Sequence, residues 1–501
     1  MGRVTGGEMP PAKELAKHPT SSKRKTRSYN GDRREKRKKR RVTALQTEAH
    51  SETLSLEDNS NRTLTSHMHA YAHANYHRSG EYRGKRKRQR PANTVDRRKW
   101  VYSPRDVSHC KDGFVFVSYN LLAVENAKKH PDLYPNVSPE LMDWDYRKQI
   151  LCKEVRGYNP GIMCFQEVDR YDDLDNLLQK DGFRGVYQPR TGDSCDGCAI
   201  FWKNELFTLL HKESIEFQRF GLRNNVAQFC VFKRKRKECS NDSNALTSED
   251  ISSQRFLVGN IHVLFNPKRG DIKLGQIRLL VENAQRLSQE WGNIPIVLAG
   301  DLNSMPKSAV YQFLTSSKLD IRMHDRRHIS GQIDPSVEPT YRFKSVHAAR
   351  ARKPLMHRWT DEELRLATGT VSVHLLHQLK LCSAYAGVPG TSKTRDDLGE
   401  PLATSFHSQF LGTVDYIWHT AELVPLRVLD PLPVNILRRT RGLPSEEWGS
   451  DHLALVCELA FAGEGKETGI AFVESEETIG VSHPHCPGAH KLPIMPTPIR
   501  Q

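Results

Sequence analysis

Six polar residues of this chain are of the types that enzymes use to hydrolyse phosphate esters. Each one ends a short run of β-branched and apolar residues or follows it, which is the pattern of a buried strand. They are Asn120, Glu167, Asp301, Asn303, Asp415 and His452. Strand ends from one region of an α/β sheet can converge on a common rim. Because carboxylate and amide oxygens suit Mg²⁺, the set predicts a metal-assisted phosphodiesterase.

Three residues at these strand ends are predicted metal ligands. Glu167 comes after the apolar run GIMCF, where a carboxylate is costly unless it is paired or binds a metal. We therefore predict Glu167 as the first Mg²⁺ ligand, with Asn120 completing the shell through its amide oxygen. Asp451, the sequence neighbour of His452, is a further candidate for the metal shell.

The other polar residues are predicted to act on water and on the phosphate. Asp301 and Asn303 are two positions apart, and on an extended segment this spacing puts both side chains on one face. Asp301 would orient or deprotonate the attacking water, and Asn303 would donate to a non-bridging phosphate oxygen. His452 would contact the phosphate or serve as acid and base, with Asp415 fixing its tautomer through a hydrogen bond.

The elements that must position these residues alternate between strands and helices, which predicts an α/β fold. The clearest helix is predicted over residues 272–291, after the strand FLVGNIHVLF at 256–265. Its apolar residues recur at three- and four-residue steps, namely Ile277, Leu280, Val281, Ala284 and Leu287. The next predicted strand, IPIVLAGD, carries Asp301 at its C-terminal end.

Ordered patterning extends over residues 106–462, which we interpret as one catalytic domain. Two segments interrupt it. Residues 233–255 are polar and of low complexity, which predicts a long hairpin loop at the surface. Residues 316–400 are rich in His, Arg and turn residues, and we interpret them as a substrate-side insertion with a helix near 361–381. The tail, residues 463–501, is predicted to be disordered.

The positive charge of the chain is confined to its N-terminal arm. The whole chain has a net charge of +16, and residues 1–100 contain 26 Lys and Arg against 10 Asp and Glu, also +16. We predict that residues 1–105 form a disordered basic arm. Its clusters RREKRKKRR and RGKRKRQR suit nuclear import or loose RNA contact, or a solvated tail without either role. The neutral remainder makes a long electrostatic RNA groove on the folded part an unattractive hypothesis.

Two absences restrict the class of protein. No apolar run approaches the ~20 residues of a membrane span, so we expect no membrane partner. The ten cysteines are scattered, which favours a reduced intracellular compartment over a disulfide scaffold. We therefore expect the protein in the nucleus and the cytoplasm.

Longer motifs carry a resemblance to a known family. The motifs are VSYNLLA, CFQEVD, DGCAIFW, NIHVLFNPKRGD, SFHSQFLGTVDYIW and SDHLALVCEL. Together they resemble the carbon catabolite repressor protein 4 and Angel branch of the endonuclease/exonuclease/phosphatase superfamily. The resemblance implies a deoxyribonuclease-I-like fold, a four-layered α/β sandwich of two packed β-sheets flanked by helices.

The resemblance also implies a function, the Mg²⁺-dependent removal of 3′-terminal adenylates from mRNA with release of 5′-AMP. His262 matches a histidine that contacts phosphate. Pro267 and Phe410 match a proline and an aromatic residue that flank an adenine. Such stacking suits single-stranded RNA with a poly(A) 3′ end and contributes ~1–3 kcal/mol per base.

Other functions remain open at this stage. On the same fold, an RNA 3′-end phosphatase, acting for example on 2′,3′-cyclic phosphates, would need a similar site. A non-catalytic RNA-binding or scaffold protein would not need all six polar residues, and a DNA-repair nuclease would prefer DNA with an abasic site. The repressor family also has leucine-rich repeats that connect it to the Not complex. This chain has a basic arm instead, so association with that complex is a weaker expectation.

Overall fold

Alternation of apolar side chains along the strands builds two β-sheets that pack face to face. The computed structural model describes residues 98–108, 110, 113–235, 254–332 and 359–462. Most of the predicted basic arm, the tail from residue 463 and the central part of the 233–255 loop lie outside the described residues.

The first sheet has seven strands in the order β1-β16-β17-β2-β3-β5-β4. Its strands are β1 Trp100–Tyr102, β2 Phe114–Asn120, β3 Ile162–Gln166, β4 Phe183–Pro189, β5 Gly197–Lys203, β16 Leu423–Leu429 and β17 Leu455–Phe461. The second sheet has six strands in the order β12-β15-β9-β8-β7-β6. Its strands are β6 Phe207–Glu216, β7 Val226–Arg234, β8 Arg255–His262, β9 Ile296–Asp301, β12 Cys382–Ser383 and β15 Asp415–His419.

Two small hairpin sheets, eight α-helices and five short 3₁₀ helices complete the described part. The hairpins pair β10 Lys318–Asp320 with β11 His374–Leu376, and β13 Ser405–His407 with β14 Phe410–Gly412. The helices are α1 Val124–Lys129, α2 Pro139–Met142, α3 Trp144–Tyr158, α4 Tyr171–Leu178, α5 Gly270–Glu290, α6 Ala309–Ser316, α7 Asp361–Thr368 and α8 Val434–Leu437.

Three apolar layers hold the fold together. Phe116, Phe232 and Val258 belong to the layer between the two sheets, which buries one face of each. The outer face of the first sheet packs against α3 and α4, and the outer face of the second packs against α5, α6 and α7. This is the predicted four-layered α/β sandwich, and the fold prediction is confirmed. The predicted helix over 272–291 is α5.

Each sheet contains one parallel pair of strands joined by a helical crossover. In the first sheet β2 is parallel to β3, and in the second β8 is parallel to β9. Gly300 near the end of β9 has φ +145°, and a Cβ there would lie 1.9 Å from the carbonyl oxygen of Ile261. Only glycine permits this approach, so the AGD sequence fixes how closely β9 lies beside β8.

A buried amide network connects the two sheets beneath their ends. Gln166 Nε2 donates to Asn260 Oδ1 at 2.8 Å, and Asn260 Nδ2 donates to the carbonyl oxygens of Phe165 and Ala199 at 3.0 Å each. Buried amides stabilise a unique packing when their partners are present. The network therefore fixes the relative position of the two sheets next to the polar strand ends.

Two sequence predictions about domain boundaries differ from the structure. Residues 100–102, placed in the disordered arm, form the edge strand β1, because Trp100 stacks under Arg427 at 4.3 Å and the strand pairs with β16. The described parts of 316–400, predicted as a substrate-side insertion, belong in part to the body of the fold. They supply β12 to the second sheet and bury Tyr385 between the sheets. The predicted helix in this segment is α7.

None of the helices in the described residues has the length and apolar composition needed to span a membrane.

Candidate active site at the ends of the two sheets

Strand register places three of the predicted residues side by side in the second sheet. His262 at the end of β8 pairs with Asp301 at the end of β9, and Asp415 at the start of β15 pairs with Asp301 from the other side. Directly opposed residues project on one face of a sheet. The three side chains therefore form a row across neighbouring strands, with Asp301 in its centre.

The first sheet contributes Asn120 from the end of β2 and Glu167 from the residue after β3. Asn120 Nδ2 donates to Glu167 Oε1 and to Asp301 Oδ2, both at 3.1 Å. Its Oδ1 accepts from the backbone N–H of Leu122 at 3.0 Å. In this arrangement the amide nitrogen of Asn120 faces the two carboxylates, and its role as a metal ligand stays a prediction. Two carboxylates require a donor between them, so the amide nitrogen faces the site.

Glu167 is half-buried and accepts hydrogen bonds from neutral donors. Its Oε2 accepts from the backbone N–H of Ala123 at 3.1 Å and from Asn126 Nδ2 at 2.9 Å. Burial raises the pKa of Glu167, and the nearby charges of Asp196 and Asp451 raise it further. Within the described ranges, no lysine or arginine forms an ion pair with this carboxylate.

His452 and Asp415 form the predicted carboxylate–imidazole pair. His452 Nδ1 lies 2.8 Å from Asp415 Oδ2, and its Nε2 lies 3.8 Å from Asp301 Oδ2. Burial alone would lower the pKa of His452, but the charges of Asp415 and Asp451 outweigh it and hold the pKa well above its usual range. The hydrogen bond was predicted and is confirmed. The raised pKa favours the protonated imidazole, which can donate a proton.

Asn303 reaches the site from a tight turn rather than from an extended segment. Its φ is +45°, and its backbone N–H donates to Asp301 Oδ1 at 2.8 Å. The expectation of an extended chain with two side chains on one face is therefore wrong, because the Asp301 side chain closes a local turn. Asn303 Nδ2 nevertheless lies 3.1 Å from His262 Nε2 and donates to the carbonyl oxygen of Val263 at 3.0 Å. Asn303 thus stays beside the row formed by His262, Asp301 and Asp415, which we call the catalytic row.

Asp451 lies close enough to Glu167 for its charge to raise the pKa of that carboxyl. Its Oδ2 accepts from the hydroxyl of Tyr134 at 2.9 Å. The neighbouring Ser450 donates to the carbonyl oxygen of Asn120 at 2.6 Å. The segment that carries His452 is thus attached to the end of β2.

Arg147 holds the same two segments from below. It is fully buried, and its guanidinium donates to the carbonyl oxygens of Leu121 and Leu122 at 2.8 Å and of Gly449 at 3.1 Å. The first two carbonyls follow Asn120, and the third precedes Ser450. One side chain of α3 therefore sets the distance between the Asn120 loop and the loop that carries Asp451 and His452.

Lys273 supports the opposite side of the site. This lysine is fully buried in α5, and its Nζ donates to the carbonyl oxygen of Asn303 at 2.7 Å and to that of Phe265 at 3.3 Å. Burial lowers its pKa to about 7, while the charge of Asp301 acts in the opposite direction. Lys273 thus connects the turn after β9 to the loop after β8.

The residues at the strand ends fit a divalent cation. Asp301, Asp415 and His452 each offer a ligand atom, and these atoms lie within 4.8 Å of one another. Among the described side chains, the buried Asp415 Oδ1 has no hydrogen-bond partner. Glu167 and Asp451 form a second acidic group on the side of the first sheet. Hard oxygen donors with unbalanced negative charge suit such an ion.

The two predicted base-contacting residues lie on separate loops. Pro267 is half-buried in the turn between β8 and α5, and Phe410 is half-buried at the start of β14. The ring of Phe410 lies 6.0 Å from that of His407. Both side chains are therefore partly accessible to a ligand, and their contact with adenine remains a prediction.

Four residues that shape the site were not predicted from the sequence: Asn126, Tyr134, Arg147 and Lys273. Of these, only Lys273 lies in a sequence pattern that could have predicted a role in the site. It precedes Ile277 by four positions, so it lies on the apolar stripe of α5, where a lysine needs a buried partner. The other three make contacts across tens or hundreds of residues, and no local pattern predicts such contacts.

A comparison with protein-family models identifies one family. The model described as the Endonuclease/Exonuclease/phosphatase family matches residues 117–452, which is more than half of the chain. The matched range begins inside β2 and ends at His452, so it contains every residue of the site described above.

Curated relatives and solved structures agree with this match. Carbon catabolite repressor protein 4 homolog 5 of Arabidopsis thaliana is 55% identical over 77% of this chain and 86% of that protein. Protein angel homolog 2 of Danio rerio is 30% identical over 68% of this chain and 63% of that protein. The crystal structure of ANGEL2, a 2′,3′-cyclic phosphatase, in complex with adenosine-2′,3′-vanadate is 28% identical. It has a TM-score of 0.58 over 73% of this chain and 99% of that chain. The predicted family branch is confirmed.

Proposed function

The chain belongs to the endonuclease/exonuclease/phosphatase family and is a hydrolase, and we propose that it removes 3′-terminal adenylates from RNA as 5′-AMP. One observation carries the proposal. The Asp301 carboxylate lies between Asn120 of the first sheet and two histidines, with its Oδ2 3.6 Å from His262 Nε2 and 3.8 Å from His452 Nε2. A buried carboxylate between two imidazoles suits proton transfer during attack on a phosphodiester.

We propose Mg²⁺ as the cofactor. Glu167 and Asp451 would hold it on the side of the first sheet, which leaves Asp301, Asp415 and His452 for proton transfer. When bound, the ion supplies a Lewis acid that offsets charge on the phosphoryl oxygens. Asn120 orients the Glu167 and Asp301 carboxylates through its amide nitrogen, and it would complete the metal shell if the amide turned its oxygen to the ion.

The proposed steps use the protonation states that the site favours. Burial and the charge of Asp415 raise the pKa of Asp301, which makes its carboxylate a better proton acceptor. Asp301 takes a proton from water as the water oxygen bonds to phosphorus. The bond from phosphorus to the upstream 3′ oxygen breaks, and protonated His452, held by Asp415, gives that oxygen its proton. His262 and Asn303 contact the phosphate.

Pro267 and Phe410 would recognise the base of the terminal nucleotide. A proline face and an aromatic ring on two loops can enclose a planar base, and a single-stranded 3′ end presents such a base. This assignment rests on the resemblance and on the partial exposure of both side chains. It makes adenine preference a property of these two loops, separate from the catalytic row.

A second candidate function is hydrolysis of 2′,3′-cyclic phosphates at RNA 3′ ends. It is favoured by the likeness to ANGEL2, a 2′,3′-cyclic phosphatase crystallised with adenosine-2′,3′-vanadate. Both reactions place a phosphate beside Asp301 and a terminal base beside the same loops. They differ in the bond that breaks and in the product.

Product identity separates the two candidates. One RNA ends in twenty adenosines and a second has the same body with a 2′,3′-cyclic phosphate, and products are identified by chromatography. The leading proposal predicts 5′-AMP and a shorter chain from the first RNA. Ring opening of the second RNA, with no AMP from the first, would replace the exonuclease proposal by the phosphatase.

We propose single-stranded RNA with a poly(A) 3′ end as the main partner, and the nucleus and cytoplasm as the location. Association with the Not complex is a second proposal, which co-precipitation of the full chain with that complex would test. Deleting residues 1–97, which precede the described domain, should leave the hydrolysis rate nearly unchanged and reduce nuclear entry. Unchanged nuclear entry of the deletion variant would show that the basic clusters are not an import signal.

A further inference from the structure

Three arginines line an open pocket on the side of the site that carries His262. The pocket has a volume of about 220 Å³ and is lined by Arg190, Arg223, Arg269, Asn224, Asn266 and Leu264. These residues come from three loops: the connection after β4, the turn before β7 and the connection after β8. The pocket therefore lies where one loop of the first sheet meets two loops of the second sheet.

Buried amides attach the pocket to the catalytic row. Asn225, next to Asn224 in the pocket wall, donates from Nδ2 to the carbonyl oxygen of His262 at 2.9 Å. Gln276 Nε2 donates to Asn225 Oδ1 at 3.2 Å, and its Oε1 accepts from the backbone N–H of Leu264 at 2.9 Å. The turn before β7 and the loop after β8 are thus positioned by the same two amides that support the backbone of His262.

The pocket has an excess of positive charge, in contrast to the acidic row beside it. Arg190 Nη1 pairs with Asp196 at 3.2 Å, but its Nε is buried without a hydrogen-bond partner among the described residues. Arg269 Nη2 pairs with Asp271 at 2.7 Å. Arg223 is exposed and forms no ion pair within the described ranges. Two carboxylates therefore balance three guanidinium groups.

We propose that this pocket binds a phosphodiester group of the RNA chain on the 5′ side of the bond that is hydrolysed. Guanidinium groups present paired donors that match phosphate oxygens, and Asn224 and Asn266 add further polar groups to the wall. Phe265, on the same loop, is 59% exposed and offers a ring to the adjacent base. This inference rests on the proposed function, because it places a polynucleotide in the site.

The pocket makes chain length part of substrate recognition. A mononucleotide can occupy the catalytic row alone, whereas only a chain of several nucleotides supplies a second phosphate for the arginines. Affinity should therefore rise from 5′-AMP to octa-adenylate, and the increase should depend on Arg223. It should also depend on salt, because each phosphate contact releases counterions.

Binding of labelled RNA in EDTA tests the pocket without requiring hydrolysis. Fluorescence anisotropy measures the Kd of 5′-fluorescein octa-adenylate, and competition measures the Kd of 5′-AMP. Arg223→Ala should weaken octa-adenylate binding about tenfold and leave 5′-AMP unchanged. It should also reduce the slope of log affinity against log salt by about 0.7. Arg223→Lys should recover part of the affinity. Because Arg223 is exposed with φ +69°, alanine there adds no strain that arginine lacks.

Arg184→Ala is the matched control. Arg184 is an exposed arginine at the start of β4, six residues from Arg190 and therefore ~20 Å away along the strand. It removes the same charge from the same protein, and octa-adenylate affinity should remain that of the wild type. An equal loss in both variants would mean that only total charge matters, which would overturn the pocket.

Two further outcomes also overturn the assignment. The first is equal affinity of the wild type for octa-adenylate and 5′-AMP. The second is an equal loss of affinity for both ligands in Arg223→Ala, since the pocket would then hold the terminal phosphate. Failure of the proposed function looks different: octa-adenylate binds through Arg223 but yields no 5′-AMP with Mg²⁺. Hydrolysis with unchanged affinity in Arg223→Ala would refute the pocket and leave the proposed function standing.

Discussion

Substitution of Arg147 by methionine should uncouple the two loops that carry Asn120 and His452. The guanidinium is fully buried, and it donates to the carbonyl oxygens of Leu121, Leu122 and Gly449. Methionine fills a similar elongated space but donates no hydrogen bond. The variant therefore removes the connection between the loops while keeping most of the apolar packing around α3.

The expected cost follows from the three carbonyl groups that lose their donor. Two of the bonds are 2.8 Å long and one is 3.1 Å. A buried carbonyl without a donor costs ~1–3 kcal/mol. Part of this sum is offset, because the variant no longer has to remove a charged guanidinium from water when it folds. We expect the free energy of unfolding to fall by about 3–5 kcal/mol. The kcat should fall as well, since His452 loses its fixed distance from Asn120.

Arg156→Met is the control in the same helix. Its side chain is 47% exposed and makes one ion pair with Asp181 at 2.7 Å, so its loss should cost less than about 1 kcal/mol. Urea unfolding followed by tryptophan fluorescence gives both values, and kcat is measured on adenylate-tailed RNA below the transition. A loss for Arg147→Met no larger than that of Arg156→Met would refute the role assigned to Arg147.

Three other variants test separate parts of the account. Glu167→Ala should abolish metal-dependent hydrolysis while the circular dichroism spectrum stays that of the wild type, because the carboxylate contacts only polar donors. Phe410→Ala should raise the KM for A-ended RNA by about 5- to 150-fold, the equivalent of ~1–3 kcal/mol of stacking, and change the KM for U-ended RNA less. Burial raises the pKa of Glu400 from 4.5 to about 7. The stability that Glu400 contributes relative to Glu400→Gln is then present below pH 4.5 and lost as pH rises through about 7. Urea unfolding should show this loss as about 3 kcal/mol.

Each of these expectations has a contradicting result. Hydrolysis by a purified, folded Glu167→Ala protein would remove this glutamate from the mechanism. Equal losses on A- and U-ended RNA would remove Phe410 from base recognition. A stability difference between wild type and Glu400→Gln that stays constant from pH 4.5 to pH 8 would mean that Glu400 does not titrate as its burial requires.

The sequence predicted the members of the site better than their contacts. Apolar runs that end in Asn120 and Asp301 are visible locally, because a buried strand must finish where its polar residue meets the rim. Asp415 instead begins the antiparallel strand β15, so it reaches the same rim from the opposite chain direction. The hydrogen bond between His452 and Asp415 followed from chemistry, since a buried imidazole needs a partner. The four-layered fold was implied by the family resemblance, which rests on motifs that are spread over most of the chain.

The remaining features depend on geometry that no local pattern contains. Asn303 adopts a left-handed turn because the Asp301 side chain accepts its backbone N–H, which contradicts the extended spacing used in the prediction. Asn120 turns its nitrogen into the site only because two carboxylates from different sheets meet there. Tyr385 enters the core from a segment rich in turn residues, since its ring fills space between sheets formed by distant strands.

The most direct test of the central claim is a gel of 5′-labelled RNA ending in twenty adenosines, beside the same RNA ending in uridines. Wild type and Glu167→Ala are each incubated with both RNAs in Mg²⁺ and in EDTA. The account predicts stepwise shortening of the adenosine tail by the wild type in Mg²⁺ alone. Absence of shortening of either RNA, or shortening that persists in EDTA or in Glu167→Ala, would contradict the proposed metal-dependent removal of adenylates.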